Sequence, residues 1–131
     1  VKFHQDNRAI RIIDIFDLKD KQINISIVNS TDHVSGLHMH KYRTEYFFCV
    51  KGSFQVFLGT DKLPDPFKKF VYISDKNPTK YIHIQPFIYH GYKALEPNSI
   101  IMYYMDDKYK QSDEFKVKPG YFGESWKVEN K

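Results

Sequence analysis

The chain has 131 residues, 41% of them hydrophobic and 17% aromatic, with a formal net charge of +4. That suffices for one domain around a single core and is too short for two of ordinary size, so residues 1–131 are expected to form a single domain. No apolar run approaches the roughly 20 residues of a spanning helix, nothing reads as a signal peptide, and the basic residues are scattered rather than clustered as a nucleic-acid groove requires; neither membrane nor nucleic acid is expected as a partner.

Candidate strands recur at short intervals: Ala9 to Phe16, Ile23 to Asn29, Gly36 to His40, Glu45 to Val50, Phe54 to Leu58, Phe70 to Ser74, Tyr81 to Ile84, Tyr89 to Leu95 and Ile100 to Met105. Polar turn residues lie between them, such as Asp17 to Lys21, Gly59 to Pro66 and Glu96-Pro97-Asn98. No dozen-residue segment carries a helical period. Many short strands with polar turns predict an all-β sandwich or barrel. After Asp106 the pattern is irregular, and Phe115, Tyr121, Phe122 and Trp126 are expected to pack this tail down. Cys49 is the only cysteine and reads as a small buried apolar residue, in keeping with a cytoplasmic protein.

The segment from Gly36 to Gly52 carries the chemistry. His38 and His40 are two apart, so on a strand they share a face. Glu45 follows, and Lys51-Gly52-Ser53 turns the chain into the next strand. Two imidazoles and a carboxylate at the start of a hairpin can hold a metal or can move protons on a substrate. The mild positive charge suits a small anionic ligand such as a nucleotide diphosphate, as it does a merely solvated surface.

Val34 to Leu58 and Tyr81 to Tyr109 resemble the small cupins that act on nucleotide-linked keto-deoxysugars, the dTDP-4-dehydrorhamnose 3,5-epimerases and dTDP-sugar 3,4-ketoisomerases. Gly36-Leu-His38 is similar to the epimerase segment with the catalytic histidine, and Cys49-Val-Lys-Gly52 to the turn after the next strand. The stretch from His90 to Tyr103, followed by Tyr109, resembles the later region in which a histidine precedes two active-site tyrosines. His38-Met-His-Lys41 is more like the ketoisomerases. The resemblance implies a double-stranded β-helix or jelly-roll barrel, a homodimer, a nucleotide-sugar substrate and no metal cofactor. Two positions depart from the epimerase pattern: Ser35 stands where a phosphate-binding arginine is found, and Glu45 where an active-site lysine is found. The aspartate that pairs with the epimerase histidine has no counterpart in the sequence.

Removing a proton beside a ketone calls for a base of near-neutral pKa, and histidine supplies it. On this reading His38 is the base and His40 a second base or its partner. Tyr103 and Tyr109 are acids or substrate clamps, and Glu45, Gln55 and His90 line the substrate site. A different class of function rests on the same residues. His-x-His, then Glu45, then Gly52 is the first motif of metal-binding cupins, with His90 as fourth ligand. Three imidazoles and a carboxylate suit Fe, Mn, Ni or Zn, although Pro86-Phe-Ile-Tyr-His90 lacks the usual form of the second motif. A sugar-binding cupin without catalysis is a further alternative.

Overall fold

The computed structural model describes residues 1–127. Its strands are β1 (Lys2–Gln5), β2 (Ala9–Ile13), β3 (Gln22–Val28), β4 (Val34–Met39), β5 (Glu45–Lys51), β6 (Ser53–Thr60), β7 (Phe67–Ser74), β8 (Tyr81–Ile84), β9 (Tyr89–Ala94), β10 (Ser99–Met105) and β11 (Phe115–Lys116). Each run predicted from alternation is present. The first ends early, at Ile13, because Asp14, Phe16 and Asp17 take left-handed backbone in a short 3-10 turn. Two of the edge strands, β1 and β11, were not predicted. Every residue of β1 is exposed and β11 has two residues, so neither shows alternation.

The strands form two antiparallel sheets, ordered β1-β2-β3-β10-β5-β8 and β11-β4-β9-β6-β7, packed face to face as a cupin-type jelly roll. Phe47, Cys49, Ile82 and Ile101 from the first sheet meet Phe54, Val56, Leu58 and Ile73 from the second in the main core. Burial pushes the Cys49 thiol up to about 11, so it packs as an inert thiol. A smaller cluster lies outside the second sheet, where Leu37, Met39, Phe57 and Tyr89 receive Phe115, Phe122 and Trp126 of the tail. No helix among the described residues is long and apolar enough to cross a membrane.

Two glycines stand where a side chain would not fit. Gly52, at φ +81°, turns β5 into β6 in a conformation that L side chains rarely adopt. Gly36 pairs with Gly91 across β4 and β9, and a Cβ on Gly36 would stand 2.7 Å from the Gly91 Cα. The two strands therefore meet backbone to backbone immediately below the histidines.

The first sheet inverts the usual pattern on β3. Gln22, Asn24 and Ser26 face inward and are buried, while Ile23, Ile25 and Ile27 face outward. Cross-strand pairing puts Ile25 and Ile27 beside Ile12 and Ile10 on one side and Met102 and Ile100 on the other. Tyr104 and Met102 pair in turn with Tyr46 and Phe48. The outer surface of this sheet is thus a continuous apolar face, while β3 presents polar groups to the interior.

Candidate active site

A cavity of roughly 300 Å³ opens at one end of the barrel. His38, His40, Glu45, His90, Tyr103 and Tyr109 all line it, together with Gln22, Asn24, Arg43, Glu114 and Lys116. Strand geometry explains the convergence. On β4 Leu37 and Met39 turn outward into the small cluster, so His38, and His40 just beyond the strand end, turn inward. Glu45 opens β5 and His90 lies on β9, the partner of β4.

The deepest part of the cavity is a charge cluster. Glu45 Oε1 lies 3.0 Å from His40 Nε2 and Oε2 lies 3.5 Å from His90 Nε2. Arg43 donates from Nε to Glu45 Oε1 at 3.0 Å, and its Nη2 is 2.8 Å from the same oxygen and 3.1 Å from His40 Nε2. His40 Nδ1 donates to the Asp113 carbonyl at 2.8 Å, so a lone pair on Nε2 can accept from Arg43. His90 Nδ1 donates to the Ile88 carbonyl at 3.0 Å. Burial pulls His90 down to about 4 despite the nearby Glu45 carboxylate, so near neutral pH this imidazole is uncharged. Burial alone would push Glu45 up, but His90, His40 and Arg43 outweigh it and hold the carboxyl at about 2.

The second half of the site is brought by the tail. Asp113 accepts the Lys41 and Tyr42 backbone N–H groups at 2.8 and 3.2 Å, which ties a 3-10 turn (Gln111–Asp113) to the end of β4. Glu114 follows and places Oε1 2.8 Å from His38 Nδ1. The carboxylate stands off the line of a ring hydrogen bond, so among the described residues His38 Nδ1 has no in-line acceptor. The Tyr109 hydroxyl donates to Glu114, which raises the phenol pKa. Burial lowers His38 from its ordinary value while Glu114 works against that shift. The sequence offered no carboxylate partner for this histidine; the fold supplies Glu114 from an unexpected place.

Tyr103 sits deeper, its hydroxyl 3.4 Å from Ser26 Oγ, and burial drives its phenol well above the ordinary range. Gln55 lies elsewhere. On β6, Phe54 and Val56 point into the barrel, so by the two-residue period Gln55 points to the opposite face, where its Nε2 donates to the Tyr72 hydroxyl at 3.3 Å. Sequence reasoning missed Arg43, Glu114, Gln22 and Asn24. For β3 the signal was present, because polar Gln22, Asn24 and Ser26 alternate with three isoleucines. For Arg43 and Glu114 it was absent, since both lie outside any regular pattern.

His40, Glu45 and His90 present ligand atoms within 4.8 Å of one another, and His38 is not in that group. The donor types suit a divalent ion, but the Arg43 guanidinium already engages the Nε2 of His40 and an oxygen of Glu45. His38 faces Glu114 instead. In this arrangement the four residues do not fit a metal.

Comparison with known proteins agrees with the architecture. No curated protein matches the sequence significantly. Among solved structures, the capsular polysaccharide assembling protein CapF from Staphylococcus aureus superposes with a TM-score of 0.75 at 15% identity, over 89% of this chain and 31% of that one. This chain thus spans about a third of CapF. The dTDP-4-dehydrorhamnose 3,5-epimerase from Bacillus anthracis, with TDP and PPi bound, gives 0.66 at 22% identity over 73% and 58%. The QdtA 3,4-ketoisomerase from Thermoanaerobacterium thermosaccharolyticum, a double mutant in complex with TDP, gives 0.64 at 21% over 88% and 83%. At these identities the superpositions establish the fold. The family model described as WxcM-like, C-terminal (FdtA) matches residues 16–122, most of the chain, and the protein belongs to that family.

Proposed function

We propose that this protein is an epimerase or isomerase of a nucleotide-linked 4-keto-6-deoxysugar, with dTDP as the nucleotide, working in the cytoplasm without a metal. The observation that carries the reading is the join of His38 and Tyr109 through Glu114 at the cavity, in a chain whose fold is shared with dTDP-sugar epimerases and ketoisomerases. A proton on the Nδ1 side that faces Glu114 leaves the His38 Nε2 lone pair as the base. It takes the proton from the carbon beside the ketone, and Tyr109, which meets the same Glu114, returns one. Tyr103, deeper and engaged with Ser26, is better placed to orient substrate than to give up its proton. Glu45 is spent on Arg43, so it serves as the counter-ion of the guanidinium.

Titration with thymidine diphosphate tests the ligand. Binding at millimolar concentration or below, with a matching rise in the unfolding temperature, is expected. No heat and no thermal protection would overturn the nucleotide reading.

The same reading includes a homodimer. The outer face of the first sheet carries Ile25, Ile27, Phe48 and Met102 in one cross-strand patch, and an uncharged face of this kind is complementary to a second copy of itself. Sedimentation should show a dimer, and Ile25→Glu should convert it to monomer; a monomeric parent would end this part of the proposal.

A further inference from the structure

Taking a proton from a carbon beside a ketone leaves negative charge on the ketone oxygen, and preorganised donors aimed at that oxygen are usually the largest single source of rate. Among the described residues, two cationic side chains line the cavity, Arg43 and Lys116. The Lys116 amine is two-thirds exposed and lies 3.6 Å from Glu114. Arg43 is 7% exposed, and its Nε and Nη2 are committed to Glu45 and His40. Its Nη1 is buried and has no hydrogen-bond partner among the described residues. An unpaired buried guanidinium N–H is expensive, so its presence beside a cavity marks the place of a missing acceptor. The Tyr109 ring covers the guanidinium, 5.7 Å from its carbon, and Tyr109 is itself half exposed at the mouth.

We propose that Arg43 is the resident cation of this site. Its guanidinium occupies the seat among His40, Glu45 and His90 that would otherwise suit a divalent ion, and it offers Nη1–H to the ketone oxygen of the substrate. The second half rests on the isomerase reading; the first does not. In the step, the C–H electron pair becomes the new C=C bond and the carbonyl π pair moves onto oxygen. The proton goes to His38 Nε2, and the enolate oxygen is held by Nη1–H. Reprotonation at carbon reverses the electron flow, so no oxidant or reductant is required. Glu45 and His40 act here as positioning residues that fix the plane of the fork.

Two measurements separate the halves. For the seat, the protein is titrated with Co(II) and followed by its visible absorption. The parent is expected to take up none at this cluster, Arg43→Gln to take up one ion per chain, and Arg43→Gln with His90→Gln to lose it again. A parent that binds cobalt through His90, or an Arg43→Gln variant that stays empty, overturns the seat whether or not any sugar is turned over. For the oxygen contact, exchange of the substrate's α-proton with deuterated solvent is measured. Arg43→Gln should lower kcat by about 10² to 10³ with a smaller change in KM, and Arg43→Lys should lose less. Should Arg43→Gln fail to fold, Arg43→Lys keeps the charge without the fork, and exchange at the parent rate in that variant overturns the role of Nη1.

Discussion

Replacing His38 by asparagine should slow exchange of the substrate's α-proton with deuterated solvent by roughly 10² to 10⁴, the usual contribution of a positioned general base. Asparagine keeps the side chain polar and close in size, and His38 is about a third exposed with no part in either apolar cluster, so the fold should survive. Tyr109→Phe should behave differently. If Tyr109 only returns the proton, the enolate still forms and reverts, and product formation drops more than exchange does. Burial lowers the His38 pKa, which favours the neutral imidazole that can act as base. Undiminished exchange in His38→Asn, on a substrate the parent turns over, would remove His38 from the mechanism.

Glu45→Ala should be among the most destabilising single changes in the chain, costing about 3–5 kcal/mol by chemical denaturation, because it leaves the Arg43 guanidinium buried without its counter-ion. The side chain is 4% exposed and meets Arg43, His40 and His90, so water cannot take its place cheaply. The pH dependence has a definite sign. The folded-state carboxyl is held at about 2, below its ordinary 4.5, so its stabilisation is complete above pH 4.5. It is lost as the pH falls towards 2 and Glu45 takes up its proton. A parent protein whose stability is flat between pH 5 and pH 2, or a Glu45→Ala variant as stable as the parent, would contradict this account.

The barrel was legible in the sequence because half-buried antiparallel strands alternate, and alternation can be read without a structure. The same rule placed His38 and His40 on one face. It also shows why Gln55 was misjudged: its neighbours Phe54 and Val56 fill the core, so their parity excludes Gln55 from the interior. Arg43 lay beyond this logic. It stands in the loop between β4 and β5, where backbone direction is set by Asp113 accepting two amides, a contact between residues some seventy positions apart. Glu114 was hidden for a related reason, since β11 is too short to carry a period. Residues in regular strands could be placed from their neighbours; those held by long-range polar contacts could not.

The tail gives the molecule an optical gauge of its own assembly. Trp126 is the only tryptophan, and its ring packs edge-on against Phe70 at 5.1 Å and near Phe57 at 6.2 Å. That cluster lies on the far side of the second sheet from the main core and holds down the segment that began with Tyr109, Asp113 and Glu114. Tryptophan emission therefore reports whether the tail is docked, while the far-ultraviolet signal of the strands reports the barrel. Divergence of the two on gentle heating would reveal a protein whose barrel is intact and whose Tyr109–Glu114 wall has already come away.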